Sequence, residues 1–155
     1  MISIIETNSY DKSIIALWQE AFGDTEEDVQ FFLENCRNKS VLTVSDNNEL
    51  CAMLFLVDAA VNGTEYKYIY AACTFKKYRG KGYMSALLKY AVTAYKNILL
   101  IPADDALVNY YRKRDFNRIV DINKIKFNEC SEIQEYLFEG CSLKEPFALA
   151  FVKGD

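Results

Sequence analysis

The stretch Tyr68-Ile-Tyr-Ala-Ala-Cys-Thr-Phe-Lys-Lys-Tyr-Arg-Gly-Lys-Gly-Tyr-Met-Ser-Ala-Leu-Leu88 passes from an apolar segment through a basic loop with two glycines into an amphipathic run. Aromatic and β-branched residues up to Thr74 predict a strand. From about Gly82 the residues Met84, Leu87, Leu88, Ala91, Val92 and Tyr95 recur at offsets of three and four, which predicts a helix laying one face on a sheet. The apolar strand Asn97 to Ile101 follows at once. Strand, long helix and strand in that order form a βαβ crossover, so the two strands are parallel. Between the first strand and the helix, glycine relieves Cβ crowding and the helix N-terminus presents free N–H groups and a positive dipole end. Such a turn binds phosphate, and Arg79 and Lys81 add charge to it. The chain's net charge is −4, with +4 in Lys76 to Lys81 and −8 elsewhere. A basic knot on an acidic body is a candidate anion site, whereas nucleic-acid binding favours a broader basic face.

Upstream, Ile2 and Ile4 begin a short strand. Asp11 to Phe22 reads as a helix stopped by Gly23, and Thr25-Glu-Glu-Asp28 opens a second helix with Val29, Phe32, Leu33 and Cys36 on one face. Ser40 to Ser45, Leu50 to Ala60 and Glu65 to Phe75, separated by Asp46-Asn-Asn48 and Asn62-Gly63, read as an antiparallel meander. Downstream, Pro102 breaks the strand and Asp104 or Asp105 caps a short helix through Leu107, Tyr110 and Tyr111 to about Arg114. Phe116 to Phe127 is expected to be one strand, Ser131 to Leu137 a helical turn, and Phe147 to Val152 a closing strand. The 155 residues, 51% of them hydrophobic, suffice for one globular domain spanning 1–155.

The chain has no histidine. Ser-His-Asp and Cys-His catalysis, imidazole-dependent zinc sites and a histidine base are therefore excluded, and no metal site is expected. The five cysteines, an odd set without a C-x-x-C pair, read as buried small hydrophobes in a reducing compartment. With neither a signal-like N-terminus nor a long uncharged apolar stretch, a cytoplasmic protein without a membrane partner is expected.

Several families bind phosphate at a glycine turn. The P-loop spacing is absent, and a dinucleotide fingerprint fails where Ser85 replaces its third glycine. The chain instead resembles the GNAT superfamily of acetyl-CoA-dependent N-acyltransferases. Arg79-Gly-Lys-Gly82-Tyr-Met84 is similar to the family's Q/R-x-x-G-x-G/A pattern, with Met84 in place of the last small residue. Pro102-Ala-Asp-Asp-Ala-Leu-Val-Asn-Tyr-Tyr-Arg-Lys-Arg-Asp-Phe116 is similar to its P-A-N-x-A-L-x-x-F-Y-x-K-x-G-F run, with Asp104 for Asn and Asp115 for Gly.

The resemblance implies an α/β (α+β) fold of three layers. Its central mixed sheet is mostly antiparallel, with one parallel crossover splayed to hold CoA and helices on both faces. It implies that the main chain of Thr74, Phe75 and Lys76 pairs with pantetheine and polarises the acetyl carbonyl. Arg79, Gly80, Lys81, Gly82, Tyr83 and Met84 are implied to hold the pyrophosphate, and Tyr111 to protonate the departing thiolate. Tyr110 and Tyr111 lie about 100° apart on a helix, so one packs inward and the other reaches the opening. The implied activity is acetyl transfer from acetyl-CoA to a small-molecule or peptide amine in one sequential step, by a monomer or homodimer. A CoA-binding module without catalysis is the alternative, motivated by Met84, Asp104 and Asp115. No general base is identifiable: solvation and packing are the expected roles of Glu65, Asp58 and Tyr70, and water is the route expected for the amine's proton.

Overall fold

The computed structural model describes residues 1–154. β1 (Ile2–Thr7) precedes α1 (Lys12–Phe22) and α2 (Glu26–Asn35), each started by a side chain that satisfies free amides. Asp11 accepts from the Ser13 and Ile14 N–H groups, and Thr25 from that of Asp28. Gly23 ends α1 in the left-handed region at φ 72°.

The meander is β2 (Lys39–Asp46), β3 (Glu49–Val61) and β4 (Thr64–Thr74). Its two-residue turns, Asn47-Asn48 and Asn62-Gly63, have positive φ throughout, the geometry that matches strand twist in tight hairpins. α3 (Tyr83–Ala94) then crosses to β5 (Asn97–Leu100), which pairs parallel to β4. α4 (Asp105–Arg112), β6 (Arg118–Val120), β7 (Ile125–Phe127), α5 (Ser131–Leu137) and β8 (Ala148–Val152) complete the chain.

The sheet order is β1-β2-β3-β4-β5-β8-β6, with β7 added to the end of β3. Among the described residues, β4 with β5 is the one parallel pair. β3 is central and buried on both faces. Met53, Phe55 and Val57 join a core with Trp18, Phe32 and Leu137 under α1, α2 and α5. The alternate residues Leu54 and Leu56 join one with Leu87, Leu88 and Phe116 under α3 and α4. This period-two division makes three layers, as expected.

Two expectations need correction. Phe116 to Phe127 is not one strand: β6 pairs with β8, β7 pairs with β3, and a 3-10 turn at Ile122–Lys124 separates them. Asp121 makes that turn by accepting from the Asn123 N–H at 2.9 Å. The apolar residues Ile119, Ile122 and Ile125 are spaced by three, which a continuous strand cannot bury on one face. The cysteines also divide: Cys36, Cys51 and Cys73 are buried, Cys141 is half-buried, and Cys130 is exposed.

Candidate active site

At the end of β4 the chain makes a 3-10 turn over Lys76–Tyr78 and then passes through Gly80 and Gly82, at φ 78° and 84°. A side chain at either position would be strained in that region. Gly82 is the N-cap of α3, has no side chain to satisfy the first amides, and accepts only from Ala86 N–H at 3.0 Å. The N–H groups at the start of α3 are left pointing out of the helix, at the positive end of its dipole. Among the basic residues, Lys77 pairs with Glu49 at 2.6 Å. Arg79 and Lys81 are exposed and form no salt bridge among the described residues, although the Lys81 charge reaches the Asp46 carboxylate. The Arg79 Nε donates to the Thr74 carbonyl at 3.3 Å, and the Lys81 ammonium lies over the Tyr78 ring.

Tyr83 contributes only main chain here. Its ring is buried and its hydroxyl donates to Asp46 at 2.8 Å. Met84 packs its side chain against the core beneath α3, so the bulkier residue fills the interior.

β4 and β5 part immediately beyond this point. Their pairing is confined to Lys67 with Ile98 and Tyr68 with Leu99, and β5 ends at Leu100. Residues 70–74 of β4 therefore have no strand on that side. A register shift between Met53 and Phe55 puts one extra residue in β4, where Ala71 adopts φ 54°. Such a bulge bends a strand and re-aims its amides, at a cost of about 1 kcal/mol for a left-handed alanine. The parting strands open a cavity of about 280 Å³, lined by Tyr70, Ala71, Ala72, Ile101, Tyr111 and Trp18 among others. The amides of Phe75 and Lys76 are already engaged, by the Cys51 carbonyl at 3.0 Å and the Glu20 carboxylate at 2.7 Å. The edge of β4 without a neighbouring strand is thus 70–74, which includes Thr74, while the Phe75 and Lys76 amides beyond it are engaged.

Tyr111 is the buried residue of α4, its ring meeting Tyr110 and Phe116 edge-on. Its hydroxyl makes no hydrogen bond among the described residues, and the residue lines the cavity. Burial pushes this phenol well above the usual tyrosine range, so it keeps its proton. Tyr110 turns the other way, with its hydroxyl 3.4 Å from that of Ser85 and the Arg114 guanidinium stacked 3.6 Å from its ring centroid.

The two other departures from the family pattern have structural roles. Asp104 caps α4 through the Leu107 N–H at 2.9 Å, as asparagine would. Asp115 occupies the left-handed region at φ 72°, which aspartate tolerates better than most residues. Asp115→Gly is expected to raise stability by about 0.5–1 kcal/mol, a gain of about 1–4 °C in Tm by thermal unfolding. A lower Tm would show that the aspartate side chain stabilises the loop.

Burial pushes the Cys73 thiol up to about 12, which removes it as a nucleophile. Asp58 and Glu65 lie away from the opening, lining a wider cleft of about 820 Å³ at the other end of the sheet, where Asp58 pairs with Lys67. Neither a glycine loop nor a helix N-terminus is among the residues that line that cleft. The carboxylates at the opening are instead Asp24 and Glu139, both lining the smaller cavity. Sequence reasoning missed them because each sits on a connection beside a glycine, Gly23 or Gly140, with no periodicity to mark it. Among the described residues no group of three or more His, Cys, Asp or Glu could hold a metal ion, and no helix is long and apolar enough to cross a membrane.

A glycine-freed helix N-terminus beside two splayed parallel strands defines the class. Residues 5–119, most of the chain, match the acetyltransferase (GNAT) domain family, and the chain belongs to it. Solved structures share the fold. One is a GNAT family acetyltransferase from Elizabethkingia anophelis with acetyl-CoA bound, at 14% identity, covering 97% of each chain with a TM-score of 0.62. Another is Arabidopsis thaliana NAA60 in complex with a bisubstrate analogue, at 13% identity, 99% of each chain and 0.65. A probable N-acyltransferase from Enterococcus faecalis matches at 17% identity over 78% of this chain with a TM-score of 0.61, and the match spans only 37% of that longer chain. No curated protein matches.

Proposed function

We propose that the protein transfers an acetyl group from acetyl-CoA to a primary amine by direct attack. The observation that carries this reading is the Tyr111 hydroxyl in the cavity wall, without a hydrogen-bond partner among the described residues, next to Tyr110, whose hydroxyl lies 3.4 Å from Ser85 in the first turn of α3. Arg79, Lys81 and the amides from Gly82 to Ser85 suit a pyrophosphate. The unpaired edge at 70–74 suits an extended chain of amides such as pantetheine, which pairs as an added strand does. The same edge supplies N–H donors for the charge that develops on the acetyl oxygen.

The amine lone pair forms the C–N bond while the C–S bond breaks. Sulfur takes the Tyr111 proton, the amine's proton leaves to solvent, and solvent returns a proton to the Tyr111 phenolate. No histidine is needed, because a thiolate with a conjugate-acid pKa of about 8.5 is a good leaving group that a phenol can protonate. A CoA-binding module without turnover is less well supported, since Met84, Asp104 and Asp115 each fit the fold without closing the opening. Calorimetry should give 1:1 binding of acetyl-CoA, and absence of binding would overturn the reading.

A further inference from the structure

The cavity's charged lining is of one sign. Among the described lining residues Asp24 and Glu139 carry charge, and no lysine or arginine accompanies them. Both are on exposed connections, but each connection is anchored. The Trp18 Nε1 donates to Asp24 Oδ2 at 2.8 Å, and the Asp24 carbonyl accepts from Gln19 Nε2 at 3.3 Å, so the second carboxylate oxygen stays without a protein donor among the described residues. On the other side, the buried Tyr68 hydroxyl donates to the Leu137 carbonyl and ties the end of α5 to β4. The Glu139 N–H closes the next turn on Tyr136 at 3.1 Å, while its carboxylate has no protein partner among the described residues. Trp18, Phe22 and Tyr70 supply aromatic wall to the same cavity. The hydroxyls of Tyr70 and Tyr136 both feel the negative charge of Asp24 and Glu139, and that of Tyr136 also feels Asp28 and Glu132, so the acidic field extends around the mouth.

Two carboxylates on anchored connections, with no counter-charge in the cavity lining, attract a cation, and aromatic faces suit both an ammonium and the methylenes that lead to it. An acceptor with a carboxylate or phosphate of its own meets repulsion at the same place. Resting on the acetyl-transfer reading, we propose that the acceptor is an amine bearing a second positive charge, held at the cavity mouth by Asp24 and Glu139 while the first amine reaches the thioester.

The test compares 1,5-diaminopentane, 1-aminopentane and 5-aminopentanoate, by turnover with acetyl-CoA and by calorimetric binding. The expected result is a kcat/KM about tenfold higher for the diamine than for the monoamine, with the amino acid lowest. Salt should raise the diamine KM most, because exposed charges are screened. In Asp24→Asn with Glu139→Gln, the diamine-to-monoamine ratio should fall towards one. Equal kcat/KM for diamine and monoamine in the unaltered protein, which needs no variant to fold, would overturn the proposal while acetyl transfer stands. Should no amine be acetylated, the transfer reading fails; tighter binding of the diamine than of the monoamine would then still support the cationic site, and equal binding would overturn it.

Discussion

Tyr111→Phe is expected to lower kcat by about 10²–10⁴-fold and to leave the Kd for acetyl-CoA within about twofold. The change removes a hydroxyl that has no protein partner among the described residues and leaves the ring against Tyr110 and Phe116, so fold and cofactor site stay in place. What is lost is the proton for the departing sulfur. Because burial raises the phenol's pKa in the folded protein, the acid form persists through about pH 10, where a free tyrosine is half ionised. The rate should therefore climb with pH as the acceptor amine loses its proton, without an alkaline fall from Tyr111 in that range. Full activity in the Phe variant would assign the proton to water.

Arg79→Glu is expected to weaken acetyl-CoA binding by about 100-fold while kcat at saturation changes little. A charge-assisted hydrogen bond contributes about 1.5–3 kcal/mol, and reversing the charge adds repulsion, partly screened at this exposed position. Each 1.4 kcal/mol is about tenfold in Kd. Lys77→Gln is the control: Lys77 sits in the same loop but is paired with Glu49, so its loss should change Kd by no more than about twofold. An equal effect of the two substitutions would mean that the loop acts only through general charge and not through a built site.

The parts of the site that depend on local chemistry were readable from residues alone. Gly80 and Gly82 have the positive φ that the turn requires, Asp11, Thr25 and Asp104 cap the helices they precede, and the hairpin turns fall on Asn and Gly. Leu87, Leu88 and Ala91 mark the buried face of α3 by spacing. What was hidden depends on pairing over distance. The bulge at Ala71 is invisible in Tyr-Ala-Ala-Cys because alanine gives no sign of a left-handed conformation, yet that bulge and the early end of β5 decide which amides remain open. The capture of the Lys76 amide by Glu20 joins residues 56 apart, and the placing of Asp24 and Glu139 on one cavity joins the end of α1 to the end of α5. Phe116 to Phe127 resembles one strand by composition, but Ile119, Ile122 and Ile125 are spaced by three and Asp121 turns the chain between β6 and β7.

The central claim is acetyl transfer to an amine, and release of free CoA thiol from acetyl-CoA, with and without a primary amine, tests it most directly. The account predicts thiol release that depends on the amine and an equal amount of N-acetylated product by mass spectrometry. Tight 1:1 binding of acetyl-CoA with no amine-dependent thiol release, across cationic, neutral and anionic amines, would contradict it.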